Sequence, residues 1–177
     1  MKAADLAAAR ERTLDDVIGS GTRVMFCGIN PGLYSAATGW HFARPGNRFW
    51  PALHLSGFTP RRLHPAEQHL LPSYGLGITN LAPRATAKAV ELTADELRQA
   101  PARLARLADE ARLQVIAVVG VTAYRTAYGR PKARIGPTEH TAGPARLWIL
   151  PNPSGLNAHY TLPALAEEFR ALRESLG

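Results

Sequence analysis

Apolar residues in this chain fall into short continuous runs separated by longer amphipathic stretches. Val24 to Cys27, Leu76 to Leu81, Gln114 to Val119 and Leu147 to Leu150 are four to six residues long. Runs of that length, closed by Gly, Pro or Asn, read as buried strands. Gln114 to Val119 is apolar almost throughout, which suits a central parallel strand. Between the runs the pattern turns helical. Asp5 to Ile18 reads as a helix ended by Gly19 to Gly21, with Leu6, Leu14, Val17 and Ile18 as its stripe. Asn47 to Leu55 reads as a second, and Thr59-Pro60 and Pro65 open shorter pieces. Thr93-Ala94-Asp95-Glu96 is a capping box, so a helix starts there and runs to about Ala111, bent or split at Pro101. Thr122 to Tyr128 and Leu162 to Leu176 complete the set. Leu33 to Pro45 and Ala82 to Leu92 read as loops, and Arg130 to Gly143 as a basic connection. Strands alternating with helices predict one α/β domain built on a short, mainly parallel sheet. There is no internal repeat or linker.

Two strand ends look alike. Val24 to Cys27 runs into Gly28-Ile29-Asn30-Pro31-Gly32, and Leu147 to Leu150 runs into Pro151-Asn152-Pro153-Ser154-Gly155-Leu156. In open α/β sheets ligands bind beyond the carboxyl ends of the strands. The two Asn-Pro loops are therefore expected to form two lips of one site. The Gly-rich turns match neither a dinucleotide fingerprint nor a phosphate loop.

Gly28-Ile29-Asn30-Pro31-Gly32-Leu33 and Asn152-Pro153-Ser154-Gly155-Leu156 resemble the mismatch-specific uracil/thymine-DNA glycosylases of the uracil-DNA glycosylase superfamily. Trp40-His41-Phe42-Ala43-Arg44-Pro45-Gly46-Asn47-Arg48-Phe49-Trp50 and Gly77-Ile78-Thr79-Asn80-Leu81 match the same pattern, in family order. The resemblance implies a three-layer α/β/α sandwich. It also implies removal of a mispaired uracil from duplex DNA, a reaction that requires the base to leave the stack.

The resemblance also implies roles. Asn30 would hold the attacking water, since a neutral amide orients water but is no strong base. On local grounds alone Asn30 could equally cap a turn. Phe42 would stack on the base, or else plug the core. Ile29, Ser35 and Asn80 would line the base pocket. Asn152, Ser154, Gly155 and Ala158 would belong to a loop that enters the duplex, with Leu156 as the wedge. A bacterial relative carries arginine where this chain has Ala158, so that guanidinium contact is absent. Asp95, at the start of a helix expected on the active face, could swing toward the sugar and assist Asn30. Its alternative role is to complement the helix dipole.

Composition narrows the partners. The chain has 177 residues, 46% of them hydrophobic, a net charge of +7 and a pI near 10.2, which favours a polyanionic partner. Double-stranded DNA is the expected one, with Arg44, Arg84, Lys88, Arg130 and Lys132 as phosphate donors. Cys27 is the only cysteine, which excludes an intrachain disulfide, and the six histidines lack ligand spacing. No metal and no cofactor are expected. The first residues lack a signal-peptide core, and no run is apolar enough to span a membrane. A cytoplasmic monomer is the expectation. A mismatch-binding or abasic-site-binding protein with little turnover is the competing reading, and a nucleotide-binding α/β enzyme is a third.

Overall fold

Strand register brings the expected loops together. In the computed structural model, which describes all 177 residues, five strands form one sheet in the order β2-β1-β3-β5-β4. These are β1 (Val24–Gly28), β2 (Leu76–Asn80), β3 (Val115–Val119), β4 (Gly136–Ala142) and β5 (Ala145–Leu150). β1 pairs in parallel with both β2 and β3, and β3 in parallel with β5. Every residue of β1, β2 and β3 is buried. This is the two-sided burial that continuous apolar runs predict.

Alternate residues of these strands point to opposite layers. Phe26, Ile78, Ala117 and Trp148 face a core shared with α3 (Phe49–Leu55) and α7 (Leu162–Ser175). Cys27, Ile116, Val118 and Ile149 face a second core shared with α4 (Ala94–Arg98), α5 (Ala100–Ala111) and α6 (Val121–Tyr128). The result is the α/β/α sandwich that was expected. An aromatic cluster centres the first core. Phe26 meets Phe49 edge-on at 5.4 Å, Phe58 at 5.3 Å, and stacks with Phe169 at 5.7 Å.

Three elements differ from the sequence reading. The N-terminal helix α1 covers only Ala3–Ala8. Glu11 then turns left-handed, with φ of 68°, and the chain runs on extended. Val17 exchanges both backbone hydrogen bonds with Ile78, each 2.9 Å, and so covers the open edge of β2. Pairing along an exposed edge prevails here over the helix propensity of an alanine-rich stretch, because a short helix with little to pack against is marginal. Secondly, Leu33–Thr38 is a helix, α2, inside the expected loop, closed by Gly39 at φ of 81°. Thirdly, the basic connection contains β4, which pairs antiparallel with β5 as the sheet's other edge. Its half-exposed Thr138 and His140 and exposed Glu139 carry no apolar signal. The other expected elements form, except that no helical piece starts at Thr59-Pro60 and the next one is the 3-10 helix Pro65–Tyr74. The Thr93 capping box forms, and Pro101 stands at the junction where the predicted long helix divides into α4 and α5.

Phe26→Ala should cost about 3–5 kcal/mol, the usual range for emptying a buried aromatic site. Urea unfolding should show the loss as a lower midpoint with an unchanged slope.

Candidate active site

Four strand ends converge on one cavity of about 160 Å3. Asn30 stands just past β1, Asn80 ends β2, Val119 ends β3 and Asn152 stands just past β5. Ile29, Ser35 and Phe42 line the same cavity. Wider clefts flank it, but this is the hollow into which the Asn-Pro loops open.

Asn30 is held from one side only. Its Nδ2 donates to the Arg84 carbonyl at 2.9 Å and to Thr86 Oγ1 at 2.8 Å. A carbonyl can only accept, which assigns the amide orientation. The Thr86 hydroxyl passes its own proton to the Lys88 carbonyl at 2.8 Å, so it too is an acceptor for Asn30. Both amide protons are thereby occupied, and Oδ1 remains without a protein partner. Asn30 is thus left as an acceptor alone, not the acceptor and donor that an amide offers in principle.

The loop that holds Asn30 is itself braced. Arg84 forms a bidentate pair with Glu96, at 2.9 and 2.8 Å. Glu96 also accepts from the Thr93 backbone N–H in the capping box. The Arg84 guanidinium and this N–H hold the Glu96 carboxyl down to about 2. The N-terminal segment adds a short ladder: Glu11 N–H donates to the Ala85 carbonyl, and Ala85 N–H to the Arg12 carbonyl, both at 3.0 Å. Leu14 from the same segment lines the cavity. The Asp15 carbonyl accepts from buried His41 Nε2 at 2.7 Å. Burial lowers the His41 pKa and keeps the ring neutral.

Gly28 makes the floor possible. A Cβ there would lie 2.5 Å from Asn80 Oδ1 and 3.3 Å from the Phe42 ring. The Asn80 side chain is 8% exposed and forms no hydrogen bond within the protein, which leaves its amide for a ligand. Phe42 has φ of 50° and stacks on Phe49 at 4.1 Å, so the core aromatic cluster supports it from behind. Ser35 Oγ accepts from the Ala43 N–H at 3.1 Å and fixes this turn.

The second lip is shaped by its own side chains. Asn152 Oδ1 accepts from Ser154 N–H, Ser154 Oγ from Leu156 N–H, and Asn157 Oδ1 from His159 N–H. Arg48, which no expectation singled out, ties this loop to the first. Its guanidinium donates to the Ser154 carbonyl at 2.7 Å, to Asn157 at 3.1 Å, and to Tyr160. Gly155 lies against Gly46, where a Cβ would come within 2.7 Å of the Gly46 oxygen. Leu156 tops the loop with 77% of its surface exposed, and Ala158 is exposed beside it.

Two expected residues lie elsewhere. Asp95 is not brought to the cavity; its side chain is 89% exposed and pairs with Arg98 one turn along α4. The acid of that helix which reaches the Asn30 loop is Glu96. Arg84 is not a free phosphate donor, because Glu96 and the Glu91 carbonyl occupy it.

The family model of the uracil DNA glycosylase superfamily matches residues 16–176. The chain belongs to this superfamily. Membership brings a class of activity with it, hydrolysis of the bond between base and sugar in DNA as a step of repair. Among solved structures, the glycosylase chain is similar to a candidate uracil DNA glycosylase from Methanosarcina acetivorans, determined by solution NMR. Identity is 17% and the TM-score 0.62, over 92% of this chain and 98% of that one, a likeness of fold. No helix of this glycosylase is long and apolar enough to cross a membrane.

The brace on Asn30 has a defined pH range. Glu96 is lowered from 4.5 to about 2, so its contribution is complete above 4.5 and is lost as pH falls toward 2. The side-chain amide signals of Asn30 should therefore stay constant in NMR spectra from about pH 8 to about pH 5. They should move at neutral pH in Glu96→Gln, which keeps the shape and removes the charge.

Proposed function

We propose that this chain is a monofunctional glycosylase that flips uracil out of G·U-type mismatches in duplex DNA and hydrolyses its glycosidic bond. Other mispaired or damaged pyrimidines fall within the same chemistry. The observation that carries the reading is the one-sided anchoring of Asn30. A residue that only capped a turn would have no need of two donor bonds that leave its acceptor bare at a cavity.

The geometry supports the following roles. The base enters the cavity and stacks on Phe42, a contact worth about 1–3 kcal/mol. Asn80, whose amide has no protein partner, addresses the polar edge of the base. Asn30 Oδ1 accepts a hydrogen bond from the attacking water and aims the water oxygen at C1′. The C1′–N bond breaks with its electron pair leaving on the base, the water oxygen bonds to C1′, and its proton passes to solvent or base. No carboxylate lines the cavity. The one imidazole on the lining, His41, has its basicity lowered by burial. The chain therefore lacks a strong general base there, and positioning with stabilisation of the departing anion must lower the barrier.

On the duplex side, Leu156 occupies the vacated stack and the hydrogen-bonded loop from Asn152 to Asn157 keeps it extended. A preformed loop loses little entropy on binding. Ala158 offers the widowed guanine only a methyl group, so preference for an opposite guanine rests on the backbone of this loop, around Gly155. Asp95, exposed and paired with Arg98, has no part in this scheme.

Asn30→Ala should lower the single-turnover excision rate by about 100-fold or more, as loss of a positioned polar group does, with duplex binding nearly unchanged. Rates and mobility shifts measured together test this, and wild-type excision by the variant would refute it. The wild-type rate should be flat between about pH 7 and pH 9, because His41, whose pKa burial lowers from 6.5, is the one lining group that titrates near that range. Leu156→Ala should reduce excision from a G·U duplex far more than from single-stranded DNA, because flipping costs least where pairing is absent. An equal loss on both substrates, per folded molecule, would remove Leu156 from the site.

A further inference from the structure

A wider cleft of about 400 Å3 adjoins the cavity and shares Phe42, Arg44 and Asn47 with it. Its lining includes Tyr34, Trp40, Arg62 and His64. We infer that this cleft binds the neighbouring nucleotides of the same DNA strand that delivers its base to the cavity. This inference rests on the function proposed above.

The chemistry of the walls identifies the occupant. Tyr34 and Trp40 are half-buried, so each has a supported ring and an accessible part. Trp40 meets the His64 ring edge-on at 5.5 Å. Arg44 and Arg62 are exposed, and neither side chain forms an ion pair or a hydrogen bond within the protein. This contrasts with the arginines around them. Arg61 is bound by Glu67 through both guanidinium nitrogens, Arg48 holds backbone carbonyls, and Arg84 holds Glu96. No acid lines the cleft. Uncommitted guanidiniums beside aromatic rings match a strand of phosphates and unstacked bases, and match neither an apolar peptide nor a free cation.

Continuity identifies the strand. A flipped nucleotide stays bonded to the phosphates on either side. The strand that enters the cavity must therefore cross its rim. Part of that rim is Arg44 and Asn47, which flank the Pro45-Gly46 turn and line the cleft as well. The same turn touches Gly155 at the base of the Leu156 loop. Loop, turn and cleft form one continuous surface, with the cavity mouth opening on it.

The test separates length from mutation. Affinity is read by fluorescence anisotropy on single-stranded oligonucleotides with a central uracil, shortened one nucleotide at a time from either end, and excision is read alongside. Wild-type protein should lose affinity when the strand is cut back from one end but tolerate more shortening from the other. Arg62→Ala and Trp40→Ala should each weaken binding of the long strand by roughly fivefold or more, as loss of a stacking or phosphate contact does. Neither should weaken binding of the strand already cut back from the sensitive end, and the maximal single-turnover rate should be unchanged. Arg62 is exposed and unpaired, so its variant should fold normally and keeps the test decisive if Trp40→Ala does not. Equal weakening on long and short strands, or none on either, would overturn the inference. Absence of excision from every substrate by wild-type protein would overturn the proposed function instead, while the length-dependent affinity would still decide the cleft.

Discussion

The close approach of two side chains to the bare Cα of Gly28 is the constraint on which this site depends. Parallel pairing places Gly28 beside Asn80 at the ends of β1 and β2. With no Cβ in the way, Asn80 and Phe42 reach the floor of the cavity. Phe42 holds a left-handed backbone there because Phe49 stacks behind it and Ser35 anchors the next residue. An alanine at Gly28 would press directly on the Asn80 oxygen. The cavity is thus an extension of the sheet and of the aromatic core beneath it.

Asn30 shows how a weak group can be made specific. A free amide rotates and offers both hydrogen-bonding characters. Here the Arg84 carbonyl and the Thr86 hydroxyl take both protons and leave a single acceptor. The holding loop is fastened by Glu96 from α4 and by the extended N-terminal segment. Such anchoring suits a site without a carboxylate, where orientation has to replace basicity. It also explains why the acid one residue from Asp95 is the important one. Glu96 reaches the Asn30 loop through Arg84, while Asp95 faces solvent.

The positive charge of the chain divides into two populations. Arg48, Arg84 and Arg103 hold backbone carbonyls or acids and act as internal struts. Arg44 and Arg62 remain unpaired beside the cavity and the aromatic cleft. Net charge alone treats these groups as equivalent. Only the unpaired ones are available to phosphates, and Arg44 and Arg62 are two such groups that stand beside the site.

The sequence by itself determined the architecture and the ends of the central strands. Apolar runs buried on both faces leave a strong local signal, and so do the capping box at Thr93 and the two Asn-Pro loops. These were enough to expect Asn30 and Asn152 in one place, while the family resemblance added Phe42 and Asn80 to the same cavity. The tertiary structure decided what depends on partners distant in the chain. β4 has a polar, half-exposed edge pattern that reads as a connection until β5 lies beside it. The stretch from Glu11 to Val17 leaves its helical tendency because the edge of β2 and the loop around Ala85 offer hydrogen bonds. Arg48 is indistinguishable from a surface arginine until the carbonyls of Ser154 and Asn157 surround it. The capping box already occupies Glu96 with the Thr93 N–H, and that it also holds the Asn30 loop follows from where Arg84 ends up. Local pattern specifies which backbone forms; which polar group is free to act depends on which neighbours have already taken its hydrogen bonds.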